Sequence, residues 1–93
     1  MISCEGERCA VQGPLTMENV TTVLAESAGV FTGPHVVVDL SGVTEVDSAA
    51  VSLLLEWRRE SAKAQRRIEF ANLPANLRSL AQLYGVLELI DQR

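Results

Sequence analysis

The stretch Val36-Val37-Val38-Asp39-Leu40-Ser41-Gly42-Val43-Thr44-Glu45-Val46-Asp47-Ser48-Ala49-Ala50-Val51-Ser52-Leu53-Leu54-Leu55-Glu56-Trp57 decides how this chain folds. Its β-branched opening favours extension and runs without polar interruption up to Asp39, which is the pattern of a central strand covered on both faces. Ser41-Gly42 then predicts a short loop. From Asp47 onward Ala50, Val51, Leu53, Leu54, Leu55 and Trp57 recur over most of a helical wheel, so a broadly buried helix follows the strand. A strand feeding such a helix is half of an α/β unit with a right-handed crossover.

Downstream, Ile68 to Ala71 returns as a strand. Pro74 opens a helix in which Leu77, Leu80, Ala81 and Tyr84 share one face, and Gly85-Val86 closes it with a left-handed stop. Upstream, Thr16 reads as an N-cap, with Leu15 and Val20 spaced as a hydrophobic staple. The helix it starts at Met17 ends near Ala28, before Gly29-Val30. Ile2 to Cys4 and Cys9 to Gln12 flank Gly6 as a short hairpin, ended by Gly13-Pro14. No repeat or linker interrupts this order. The expectation is one α/β domain over residues 1–93: a mixed sheet with parallel central strands, covered by about three to four helices.

Composition narrows the function. With 47% hydrophobic and 22% charged residues the chain has ordinary globular content. Aromatics are only 4%, too few for a base-stacking platform, and a net charge of -4 is the wrong sign for a phosphate backbone. Nucleic acid is therefore excluded as the expected partner. The apolar runs Val36–Leu40 and Ala49–Leu55 fall well short of the roughly 20 residues that spanning a bilayer needs. Met1 to Arg8 shows neither a basic nor an apolar leader region, so the cytoplasm is the expected location. Cys4 and Cys9 are placed to face each other across the hairpin, yet without an export signal they are expected as reduced thiols.

Enzymatic constellations are missing. His35 is the only histidine and reads as an ordinary hydrogen-bonded residue. Glycines stand singly at positions 6, 13, 29, 33, 42 and 85, which assembles no phosphate loop. Asp39, Glu45 and Asp47 are explained by strand-end and capping roles without a metal. Ser48 has no base beside it. The expectation is no catalytic residue, no metal and no cofactor. What the sequence does offer is a helix N-terminus at Asp47-Ser48-Ala49-Ala50. Asp47 is expected to accept from the amide of Ala49 or Ala50, setting the Ser48 hydroxyl in a first turn that favours negative charge. Two small alanines let another backbone approach, so Asp47, Ser48, Ala49 and Ala50 are the expected partner-binding residues. From spacing alone the same dipeptide reads equally as a helix start with nothing bound. Arg58, Arg59, Lys63, Arg66 and Arg67 crowd the other end of this helix, where cations complement the macrodipole and a solvated face is expected.

Val36-Val37-Val38-Asp39-Leu40-Ser41-Gly42-Val43, Val46-Asp47-Ser48-Ala49-Ala50 and Leu53-Leu54-Leu55-Glu56-Trp57 together resemble the core of STAS domains. Phe70-Ala71-Asn72-Leu73-Pro74 and Leu80-Ala81-Gln82-Leu83-Tyr84-Gly85-Val86 are similar to the MlaB branch of that family, small cytoplasmic subunits of a Gram-negative phospholipid-transport complex. The resemblance implies a non-catalytic subunit, peripheral to the inner membrane, that binds an MlaF-like ABC-transporter ATPase and through it a permease. ATP hydrolysis would belong to the partner, and the task served would be outer-membrane lipid asymmetry. In the related anti-sigma-factor antagonists the position matching Ser48 carries phosphate, which makes Ser48 the candidate phosphorylation site and a phosphorylation-controlled regulator the alternative. The sequence departs from many STAS domains at Ala50, where glycine is common.

Overall fold

The computed structural model describes residues 1–90, in the order β1 (Ile2–Glu5), β2 (Arg8–Leu15), α1 (Val20–Val30), β3 (His35–Val46), α2 (Ser48–Lys63), β4 (Arg67–Ala71), α3 (Ala75–Leu83) and α4 (Leu87–Ile90). One sheet runs β1-β2-β3-β4. Its first pair is antiparallel and the other two are parallel, as the alternation of strands and helices predicts.

Alternation along β3 shows how the sheet is covered. Val36, Val38 and Leu40 are buried, whereas Val37 and Asp39 are half-buried. The apolar side meets Leu54, Trp57 and Leu77 in one core with Val11 and Leu15 of β2. The expectation of strands covered on both faces is corrected: the helices pack on one face, and the Arg8–Asp39 ion pair and the His35–Glu69 hydrogen bond lie on the other. Three consecutive valines mislead here because Val37 satisfies strand propensity without needing a roof.

Further expectations are corrected as well. β3 does not stop at Ser41-Gly42 but continues to Val46, and β2 passes through Gly13-Pro14 to Leu15. The two strands support each other there, with register shifts between Ala10 and Gln12 and between Gly13 and Leu15. Pro14 lies beyond the reach of β1, whose pairing ends at Val11, so its missing N–H breaks no bond to that strand. Gly42 permits the close approach: a Cβ there would stand 3.0 Å from Gln12 Cγ and 3.1 Å from the Val11 carbonyl oxygen. Gly42→Ala is therefore expected to cost about 1–3 kcal/mol by overpacking, read as a lower urea midpoint.

The first helix begins at Val20, not Met17. Residues 16–19 form a turn in which the Thr16 carbonyl accepts from the amides of Asn19 and Val20, and the Asn19 carboxamide oxygen accepts from the Thr16 amide at 2.8 Å. At its other end Gly29 stays helical and the amide of Phe31 closes the helix on the Ser27 carbonyl. Finally, Cys4 and Cys9 form a disulfide rather than standing as free thiols. The β1–β2 ladder pairs Cys4 directly with Cys9, their Cα atoms 3.9 Å apart, and this register outweighs the compartment argument.

α2 is the central helix of the covered face. Ala50, Val51, Leu53, Leu54, Trp57 and Ser61 are buried along it, which confirms the broad apolar arc. The Trp57 indole donates to Ser27 Oγ at 2.7 Å and its ring lies 5.2 Å from that of Phe31, so α1 is keyed to α2 by one polar bond inside an apolar contact. α3 ends as read: Gly85 takes φ 72°, and the amide of Val86 donates to the Ala81 carbonyl, a Schellman closure.

Candidate functional site

The tip of α2 is set by Asp47, whose backbone is extended and whose two carboxylate oxygens do different work. Oδ1 accepts from the Ala49 amide at 2.8 Å, which is the expected cap. Oδ2 accepts from the Met17 amide at 3.0 Å, tying the turn that precedes α1 to the start of α2. Asn19 braces the same turn by donating to the Pro14 carbonyl at 2.6 Å. Sequence spacing gives the first bond but not the second, since Met17 lies thirty residues away and only the β2–β3 pairing brings it close. Asp47→Ala removes both bonds; a loss of about 1–2 kcal/mol in thermal or urea unfolding is expected.

This arrangement leaves Ser48 exposed and Ala49 half-buried. Ala50 is 0% exposed and packs in the core, so its place among the partner-binding residues is corrected. Its small size serves the packing of α2 on the sheet, one residue too far round the helix to face outward. Ser52, one turn below Ser48, is exposed as well. Two shallow hollows flank this pair of serines, the first lined by Met17, Val20 and Leu24 and the second by Leu55, Tyr84 and Val86. Met17 is 74% and Tyr84 is 52% exposed. Sequence reading missed both, placing Met17 inside the first helix and Tyr84 on the inner face of the third.

Elsewhere several charged groups are engaged with one another. Asp39 accepts from Arg8 at 3.0 Å, from the Ser41 amide at 3.0 Å and from Asn72 at 3.1 Å, stitching β2, β3 and the end of β4. Above all the Ser41 amide, then Asn72, holds its carboxyl well below the ordinary value of 3.8. A carboxylate depressed in the folded state stabilises at pH above its unfolded value and loses that contribution as pH falls below it. Asp39→Asn is therefore expected to be less stable than the parent at neutral pH, with the gap shrinking below about pH 4, measured by urea titrations across pH. His35 bonds Glu69 at 2.6 Å and Glu7 at 3.4 Å. Of the basic cluster, Arg59 pairs with Glu56, Lys63 with Glu60 and Arg67 with Glu69, while Arg66 donates to the Gly33 carbonyl. These residues behave as a solvated face. A larger groove of about 560 Å³ between α1 and α2 is floored by Phe31 and Trp57. Its buried Ser27 donates to the Leu24 carbonyl and accepts from Trp57, so that hydroxyl is already committed.

With this geometry in place, comparison with known proteins decides the family. The family described as "Mlab, STAS domain" matches residues 4–91. The chain belongs to this STAS-domain family. Members of it are generally non-catalytic binding domains. No curated protein matches the sequence. Among solved structures the chain is similar to the anti-sigma factor antagonist SpoIIAA in its unphosphorylated form, at 20% identity and a TM-score of 0.66, covering 89% of this chain and 81% of that one. It is also similar to Mglu, at 24% identity and a TM-score of 0.64, covering 81% of this chain. The matched part spans only 20% of the Mglu chain. At these identities the likeness is one of fold. Among the described residues no helix is long and apolar enough to cross a membrane.

Proposed function

We propose that this STAS-domain protein is a non-catalytic subunit that binds and supports the ATPase of an ABC-type phospholipid transporter, on the cytoplasmic face of the inner membrane, in the service of outer-membrane lipid asymmetry. The observation that carries the reading is the match of nearly the whole chain to an MlaB-type family, joined to a tip whose Ser48 is held outward by the doubly bonded Asp47. Asp47 positions the tip, and Ser48 and Ala49 meet the partner. ATP hydrolysis belongs to the ATPase, and the permease is reached through it. Affinity purification of the native chain from its own cell is expected to recover an ABC ATPase with its permease. Recovery of a sigma-regulating kinase in their place would overturn the reading.

A second reading is favoured by the exposure of Ser48 in the first turn of α2, on a fold shared with an anti-sigma factor antagonist. Here a kinase adds nearly two negative charges at Ser48, where the helix amides welcome phosphate but a close protein contact does not. Incubation with the cognate kinase and ATP, followed by intact mass, distinguishes the two. A single phosphate that disappears in Ser48→Ala supports the regulator; an unmodified chain removes it.

A further inference from the structure

A Cys4–Cys9 disulfide is unexpected in a chain placed on the cytoplasmic face of a membrane. Thiols are kept reduced there, and the disulfides that do form are usually transient and either catalytic or redox-sensing. The two sulfurs also differ in access. Cys4 is exposed on β1, an edge strand of the sheet, whereas Cys9 is 2% exposed and belongs to the core with Val11. The ladder makes them direct partners, so one cysteine is open to solvent and the other stands behind it. β1 itself is short, and two contacts tie it to α1. The Ile2 amide donates to Glu26 at 3.1 Å, and Cys4 Sγ lies 3.8 Å from the Val30 carbonyl oxygen in the last turn of that helix.

We propose that Cys4 and Cys9 form a redox couple, with Cys4 the site of thiol exchange and Cys9 the resolving thiol, and that reduction loosens β1 from α1. The inference rests on the cytoplasmic placing of the chain. In the reducing direction a dithiol supplies the electrons. Its thiolate attacks Cys4 Sγ, the bond to Cys9 breaks, and the electron pair leaves on Cys9 Sγ, which takes up a proton. The reductant's second thiolate then attacks its own sulfur on Cys4. That step frees Cys4 as a thiol and closes the reductant into a disulfide, two electrons having moved in all. In the oxidising direction a small disulfide of the glutathione class exchanges at Cys4, and Cys9 expels the added thiol to restore the bond. Access sets this order, because exposed disulfides are the labile ones and attack at Cys9 would require the core to open.

The test uses the whole chain, folded and without denaturant. Millimolar dithiothreitol is expected to open the bond, after which Cys4 is alkylated at least about tenfold faster than Cys9. With oxidised glutathione, Cys9→Ser is expected to gain one glutathione by intact mass and Cys4→Ser none, while the reduced parent returns to its internal disulfide. Circular dichroism checks that both variants are folded, and the alkylation order is read on the parent alone. On reduction, hydrogen exchange of the β1 amides is expected to quicken by about tenfold or more, with β3 and α2 unchanged. In the native cell, acid quenching and alkylation are expected to trap both thiols free, and to find them joined after brief exposure to the thiol oxidant diamide. Three results overturn the couple and leave the ATPase reading standing: a bond that resists dithiothreitol until urea unfolds the chain, equal alkylation of the two thiols, or unchanged exchange in β1. A bond found closed in unstressed cells overturns both the couple and the cytoplasmic placing.

Discussion

Ser48→Arg is expected to lower affinity for the ATPase partner by at least about a hundredfold while the domain keeps its fold. The hydroxyl stands exposed in the first turn of α2, so the free protein can swing a long side chain into solvent. Its one intrinsic cost is a cation near the positive end of a helix, worth about 0.3–1 kcal/mol. In a closed interface the same side chain would have to fit between the tip of α2 and the partner's backbone, where overpacking and a desolvated charge both oppose it. Titration calorimetry reads the loss, and a melting temperature within a few degrees of the parent shows that it is not unfolding. Parental affinity in Ser48→Arg would place the interface elsewhere on the chain.

Trp57→Ala is expected to have the largest effect on folding, about 3–5 kcal/mol. Trp57 is 2% exposed, and its loss opens a cavity between α1 and α2, deprives Phe31 of its ring partner and leaves Ser27 Oγ without a donor. For a domain of this size the whole stability is about 5–15 kcal/mol, so the variant is left near the edge of folding. Urea denaturation followed by circular dichroism gives the number. Trp57→Phe keeps most of the volume and removes the indole N–H; a loss of about 1–3 kcal/mol there separates the buried hydrogen bond from the packing. A Trp57→Ala variant as stable as the parent would mean that α1 is not anchored through this residue.

What the sequence reveals about this fold follows the range of the interactions involved. The Asp47 cap and the Gly85 closure are made within a few residues of themselves, and both are readable as short patterns. The buried arc of α2 is equally local, because helical spacing alone sorts Leu54 and Trp57 inward. Where tertiary contacts decide, reading fails. Ser41-Gly42 looks like a loop until β2 lies beside it, and Thr16 looks like a cap until Asn19 folds back onto its amide. Ala50 fits the apolar arc of α2 and equally a small residue at its tip, and only the packed core decides for the first; Tyr84 continues the apolar spacing of α3 but lies at its C-cap, where the chain leaves the helix. The Ser48 tip is thus legible as chemistry, but the hollows around it are built from Met17, Leu55 and Tyr84, which only the folded chain brings together.

The bond between Cys4 and Cys9 spans five positions along the chain, inside a hairpin whose strands already pair through their backbones. So small a ring withdraws far less freedom from the unfolded chain than a cross-link between distant segments. It does not dictate which strands become neighbours. The polypeptide can reach its topology with both sulfurs reduced and fasten them afterwards, so that the oxidation state of the surroundings adjusts the firmness of one corner and leaves the architecture untouched.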